Sequence, residues 1–366
     1  MKTSKRILVY QIGNIGDTIV SIPSLKAVRK QYGPHARITI LHDTRPEINV
    51  TPADLLSQGN LVNEFISYPY KKGLFGKLLS AFKLLWQLRQ CHFQTVIYLA
   101  PSERTLNRVR RDKLFFRLVG IPERVGFHVF STNSLYPVDE QGQPVRVQHE
   151  AFLRLERLGL DGFDIFSETD LMKPFLEIPT EEIERARQWL AARRCYSDRP
   201  LVAICPGAKQ PANSWPLDRF IKIGQRLIEQ NQFELLVVGG EAEQDMGESM
   251  IKTWGTGLNA AGQFSVLGSA ALFAQCVFLI GLDTGTTHLA ASQGVPCIAL
   301  YGGRVNPGHW EPLGQGHRVL RSVVPCAGCR LRNCPIQGHP CMTQITVEEV
   351  WEAIMQLELN DKLFEC

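Results

Sequence analysis

Apolar runs of strand type alternate with helix-patterned segments through both halves of the chain. In the first half the runs lie at 6–12, 37–41 and 95–99, with helical patterns at 18–31, 74–90 and 104–119. In the second half they lie at 200–205, 233–238, 276–280 and 296–301, with helices at 216–230, 242–252, 268–275 and 286–293. Buried strands joined in this way build a parallel sheet covered on both faces. Two such sets predict two doubly wound α/β domains, 1–175 and 176–366. The join falls in 167–200, where Pro174 and Pro179 precede a charged helix from Glu181 to Arg194. Ligands in such sheets bind beyond the carboxyl ends of the strands, so a cleft between two facing domains is expected.

Composition sets the remaining bounds. The 366 residues are 44% hydrophobic and 21% charged, enough apolar material for two cores. A net charge of +4 gives no argument for nucleic acid. The first apolar run is short and ends in a glycine loop, unlike a signal peptide. No run approaches the ~20 residues of a spanning helix, so a cytoplasmic location is expected. The segment "GLFGKLLSAFKLLWQLRQ" (73–90) reads foremost as a packed amphipathic helix. A helix lying on a membrane surface is the alternative.

Two loops carry the chemistry. In "ILVYQIGNIGDTIVSIPSLKAV" a strand breaks into Gly13-Asn14-Ile15-Gly16-Asp17 and enters a helix. The spacing G-x-x-G-D is not the G-x-G-x-x-G of a dinucleotide site, which disfavours an oxidoreductase. Asp17 either caps the helix or presents a carboxylate on a rigid corner, and the two roles can coexist. In "CVFLIGLDTGTTHLAASQGVPCIALYGG" (276–303) a buried strand runs into Asp283-Thr284-Gly285-Thr286-Thr287 and a short helix from His288. Backbone N–H groups, threonine hydroxyls and a positive dipole end then converge on one point, as a pyrophosphate requires. Gly285 permits close backbone approach. Simple capping by Asp283 and the threonines, and a core role for His288, are the plainer readings.

These stretches resemble glycosyltransferase family 9, the heptosyltransferases of lipopolysaccharide core synthesis. "GLDTGTTHLAASQGVPCIALYG" is similar to that family's D-[ST]-G-x-x-H-[LI]-A-A-x-x-G-x-P signature, and "QIGNIGDTIVSIPSLKAVRKQYG" to its opening R-x-G-x-x-G-D motif. "AICPGAKQPANSWPLDRFIKIGQRL" and "LLVVGGEAEQD" resemble the two segments that lie between them, and the motifs run in order from about residue 6 to 355. The resemblance implies a GT-B fold with an acceptor domain followed by a nucleotide-sugar domain. It implies inverting transfer of a heptose from ADP-heptose to a lipopolysaccharide or lipid-linked acceptor at the inner membrane surface, with Asp17 as general base and no metal in catalysis. Another nucleotide sugar, a protein acceptor, or donor binding without turnover are the alternatives.

One departure from the family falls on the donor side. Where a lysine commonly contacts the donor phosphates, two residues before Trp-Pro, this chain has Asn213; Lys209, four residues earlier, is the candidate replacement. Glu241 and Glu243 follow the strand at 233–238, where the family places an acid on the ribose; which of the two aligns is open, and a solvated helix start is the alternative. Gly13 and Gly16 are expected to serve the turn and clearance for the acceptor. On the acceptor side, 102–127 holds seven Arg/Lys against three acidic residues. Arg104, Arg108 and Arg111 are at helical spacing and could share one face suited to phosphates; an ordinary solvated charged helix is the alternative.

Ten cysteines are many for such a compartment. Cys205, Cys276 and Cys297 sit in apolar runs as small buried thiols. Cys326, Cys329, Cys334 and Cys341 form C-x2-C-x4-C-x6-C with His339 inside. A structural zinc or iron site, a cluster of reduced thiols and a disulfide are the three readings.

Overall fold

The computed structural model describes residues 4–44, 50–69, 73–167, 173–230 and 233–357. The chain divides into two compact units. The first comprises 1–135 and 148–170, and the second 136–147 and 171–366. This differs from a single break after 175, because 136–147 leaves the first run of chain and belongs with the second unit.

In the first unit the elements run β1 (Arg6–Tyr10), α1 (Ile15–Tyr32), β2 (Arg37–Thr44), α2 (Pro52–Leu56), β3 (Glu64–Pro69) and α3 (Leu74–Gln90). They continue with β4 (Thr95–Tyr98), α4 (Leu106–Val119), β5 (Glu123–Val125), α5 (Thr132–Leu135) and α6 (Glu150–Gly159). All five strands are parallel, in the order β3-β2-β1-β4-β5. The order reverses between β1 and β4, so the site-forming corner of this sheet is the loop after β1. Ile7, Leu8 and Val9 on β1 and Val96, Ile97 and Tyr98 on β4 are fully buried. Those runs were legible because strands buried on both faces are continuously apolar. Helix α1 is buried on nearly every side from Thr18 to Val28. A helix covered all round lies inside the domain, which makes the β1–α1 corner rigid.

In the second unit the elements are α7 (Thr180–Ala191), β6 (Leu201–Cys205), α8 (Leu217–Glu229), β7 (Glu234–Val237), α9 (Gln244–Trp254), β8 (Leu258–Asn259) and α10 (Val266–Phe273). They continue with β9 (Cys276–Leu282), α11 (Gly285–Ala291), β10 (Cys297–Leu300), β11 (Arg318–Leu320), α12 (Pro340–Thr343) and α13 (Val347–Met355). Its six parallel strands are ordered β11-β10-β9-β6-β7-β8. Here the order reverses between β6 and β9. The loops that follow those two strands are therefore the ones the topology sets side by side.

The segment 136–147 is fastened to this second unit by its backbone. Asn306 Nδ2 donates to the carbonyls of Pro137 (2.8 Å) and Val145 (3.1 Å), and the Val147 N–H donates to Pro307 O at 2.8 Å. Gly308 has φ +89, and a Cβ there would stand 2.2 Å from Val147 O. Glycine is thus required on both conformational and steric grounds.

Candidate active site

At the β1–α1 corner Asn14, not Asp17, is the N-cap. Asp17 is the third helical residue, and its Oδ2 accepts the Asn14 backbone N–H at 2.8 Å. This reciprocal capping uses one carboxylate oxygen. The other faces Arg154 of α6, whose Nη2 stands 3.4 Å from Oδ1 and whose Nη1 donates to Asp17 O at 2.8 Å. Arg154 is itself fully buried. It also donates to Ser21 Oγ, and its Nε donates to Glu150 Oε1 at 2.7 Å. Glu150, equally buried, accepts the Ser102 N–H at 2.9 Å and so ties the loop after β4 into the same network.

Arg154, Glu150 and Ser21 are absent from the sequence expectations. A side chain at 154 gives no sign from its neighbours that it will meet Asp17. The helix-spaced Glu150 and Arg154 are the one local signal, and such a pair ordinarily reads as solvated.

Gly13 has φ +124, and a Cβ on it would lie 2.2 Å from Asp17 Cγ. The absent Cβ thus makes room for the Asp17 carboxyl. Gly16 lies within α1 in ordinary helical conformation. The Asp17 side chain keeps 16% exposure, so it is reachable from outside. Burial raises its pKa above the ordinary carboxylate value, with Glu150 and Glu103 adding to the rise. The Arg154 guanidinium and the Asn14 N–H oppose it. The result is a carboxylate of increased basicity on a fixed corner.

In the second unit the loops after β6 and β9 meet as the topology requires. Asn213 ends a 3-10 turn, Pro211–Asn213, and is 3% exposed. Its Nδ2 donates to Asp283 O (3.0 Å) and to Asp283 Oδ2 (3.1 Å). Its Oδ1 accepts from Arg304 Nη1 at 3.1 Å. Asn213 is therefore a bracket between the two loops. The cation beside it is Arg304, from the loop after β10, whereas the proposed replacement Lys209 is exposed on the loop after β6. Nothing local in the sequence marks Arg304, which lies 91 residues from Asn213 in a loop of glycine, proline and asparagine. Burial also raises the pKa of Asp283, against Arg321, Arg304 and the Asn213 hydrogen bond.

Thr284 is the N-cap of α11, and its Oγ1 lies 2.8 Å from that of Thr286. The Thr287 hydroxyl is turned inward to Leu282 O at 2.6 Å. Thr284 and Thr286 are thus the partly exposed hydroxyls of the loop, while Thr287 holds the turn and His288 is buried at 5% exposure. The N–H groups of Gly285, Thr286 and Thr287 have no carbonyl in their own helix to bond. Of the two acids after β7, Glu243 lies over the β6 loop: a Cβ on Gly207 would meet its Cγ at 2.4 Å. Its Oε2 accepts the Gly240 N–H at 2.8 Å. Glu241 is exposed at the start of the turn.

The basic face expected from Arg104, Arg108 and Arg111 is divided. Arg104 and Arg111 both pair with the buried carboxylate of Asp112, and Arg108 is exposed. Cys326, Cys329, Cys334 and Cys341 line one recess with His339, Arg304 and Leu331. The described cysteines are free thiols. Among the described residues no group of three or more His, Cys, Asp or Glu side chains is arranged to hold a metal ion. The His339 ring is turned to Ala212 O, 3.0 Å from Nε2. Burial and the neighbouring sulfurs raise the Cys341 pKa.

The chain is 25% identical over 370 residues to lipopolysaccharide heptosyltransferase 2 of Escherichia coli, covering 98% of this chain and 99% of that protein. Among solved structures, a glycosyltransferase of family 9 from Veillonella parvula superposes with a TM-score of 0.69 at 22% identity, covering 98% of both chains. The E. coli ADP-heptose lipopolysaccharide heptosyltransferase II gives 0.65 at 22%, covering 98% and 99%. These structural likenesses concern the fold, which is the GT-B class of paired doubly wound α/β units. The family model for glycosyltransferase family 9 (heptosyltransferase) matches residues 82–339. It therefore spans the Asn213–Asp283–Arg304 bracket and begins after the Asp17 corner. The chain is a glycosyltransferase and belongs to glycosyltransferase family 9.

Proposed function

We propose that the protein moves a heptose from ADP-heptose to a lipopolysaccharide inner-core acceptor, with inversion and with Asp17 as the general base. The observation that carries this reading is the Asp17 carboxylate. It is reachable, its basicity is raised by burial, and one oxygen is fixed by Asn14 while Arg154 steadies the other. The acceptor hydroxyl oxygen attacks the anomeric carbon as the bond from that carbon to the diphosphate oxygen breaks. The hydroxyl proton passes to Asp17, and ADP leaves with the bonding pair.

Charge on the leaving diphosphate is met by the N–H groups opening α11, by the Thr284 and Thr286 hydroxyls, and by Arg304 in place of the family lysine. Glu243 rather than Glu241 contacts the ribose, a choice supported by its position over Gly207. No metal is assigned to the transfer step. The protein works in the cytoplasm on an acceptor anchored at the inner membrane; no helix among the described residues is long and apolar enough to cross a membrane. Thiolate is a donor that zinc and iron accept, and on that chemistry the four thiols of the recess are the residues that would hold a structural ion.

The test is Asp17→Ala with ADP-heptose and a core acceptor. Turnover should fall by about 10²–10⁴-fold with ADP affinity unchanged. Retained turnover removes Asp17 as base, and turnover with a different nucleotide sugar changes the donor while keeping the mechanism.

A further inference from the structure

Helix α3 has two apolar faces. Leu84, Leu85 and Leu88 turn inward onto the core of the first unit, Leu88 with no exposure. Along the other side, Phe75, Leu78, Leu79, Phe82 and Trp86 each lie three or four residues from another of the set, which places them on one helix face. They are 84, 61, 44, 67 and 62% exposed. Singly exposed apolar residues are ordinary, but five large ones in a stripe along one helix mark a surface that something covers.

The surroundings say what covers it. Lys77, Lys83 and Arg89 are exposed on the same helix, which carries no acidic residue. Helix α4 packs beside α3. It exposes Leu114 and Leu118 together with Arg108, Arg110, Lys113 and Arg117. Its one acidic side chain, Asp112, is buried under Arg104 and Arg111 and offsets nothing outside. The pair of helices thus presents aromatic and leucine side chains flanked by cations, without an exposed carboxylate. Protein interfaces deplete charge, lysine especially, from their apolar centres. A bilayer interface takes aromatic rings at headgroup depth and rewards flanking cations.

We infer that the α3–α4 face docks the protein on the surface of an anionic lipid bilayer. The Phe75–Trp86 stripe enters the interfacial region, and the α4 cations meet headgroup phosphates. This names the surface that would serve the membrane-side acceptor proposed above and to that extent rests on that reading. Its own support is the geometry of the two helices.

The test is co-sedimentation with phosphatidylcholine vesicles, with and without phosphatidylglycerol, and with no donor or acceptor present. Failure here therefore leaves the transfer reading standing, and failure of transfer leaves this result standing. The wild-type protein should pellet with the anionic vesicles only, less so as salt is raised. The double variant Phe82→Ser, Trp86→Ser should lose at least about tenfold in partition. Both side chains are exposed, so its melting temperature should match the wild type. Arg110→Ser and Arg117→Ser should each lose about fivefold, and only on anionic vesicles. A lipid-borne quencher should dim the wild type more than Trp86→Phe. Absence of partition, or partition unchanged in the serine variants, overturns the proposal. So does a vesicle-free dimer that Phe82→Ser, Trp86→Ser dissolves, because a second copy would then be the occupant.

Discussion

Asp17 and Asp283 have in common that burial works against their charge. Each keeps a folded-state pKa above that of the unfolded chain, despite a neighbouring guanidinium. The native state then holds protons more tightly than the unfolded state through the window that opens at the ordinary carboxylate value, about 4. Stability contributed in this way is present below that value and is lost as pH rises through the folded pKa. Replacing Asp17 by Asn removes the charge while leaving an acceptor for the Asn14 N–H and Glu150 for Arg154. Urea denaturation across a pH series should show a shallower loss of stability above pH ~4 in Asp17→Asn than in the wild type, together with loss of turnover. An unchanged slope would mean that Asp17 titrates alike in both states. Asp17 stands out as a candidate in the sequence because a carboxylate follows two glycines at a strand–helix corner and matches the family's opening motif. Arg154 does not, because its partners Asp17 and Ser21 lie 137 and 133 residues away, and a surface helix offers arginine at the same spacing.

Among elements, the strands buried on both faces were the readable ones. β3 was missed because "EFISYP" interrupts its apolar residues with glutamate, serine and proline, and β5, β8 and β11 are only two or three residues long. α6 was missed because "EAFLRLERLG" carries four charged residues, although Glu150, Arg154 and Arg157 prove to be buried. The α3 segment was recognised as a helix. Its apolar residues lie on more than one side, so pattern alone did not decide which of them the fold would leave outside. The same limit applies where two loops meet. Strand order puts the β6 and β9 loops together, but the third participant, Arg304, arrives from β10. Arg304→Gln should loosen the Asn213–Asp283 bracket and weaken ADP binding about tenfold, the scale of one charge-assisted hydrogen bond. Isothermal titration checks this. ADP affinity equal to that of the wild type would return the phosphate-facing cation to Lys209.

At the scale of the whole molecule, two sheets and their switch points account for where both chemical loops lie. Alternation of strand and helix was sufficient to see two doubly wound sheets, whereas the strand order that sets the switch points is visible only in the structure. The four clustered thiols were visible as spacing, but whether an ion joins them depends on sulfur positions that spacing does not fix. Protein purified under reducing conditions should contain about one zinc or iron per chain if they form a site, and a chelator should lower its melting temperature. Neither result appearing would leave four reduced thiols. The course of 136–147 has a consequence of another kind. Because this segment belongs with the second unit while the chain on either side of it belongs with the first, the polypeptide passes from one unit to the other three times. The two halves are therefore not interchangeable cassettes. A chimaera joined to a relative at one point near 170 would carry a foreign 136–147 against a native Asn306 and Gly308. Recombination within the family should succeed only where those residues travel together.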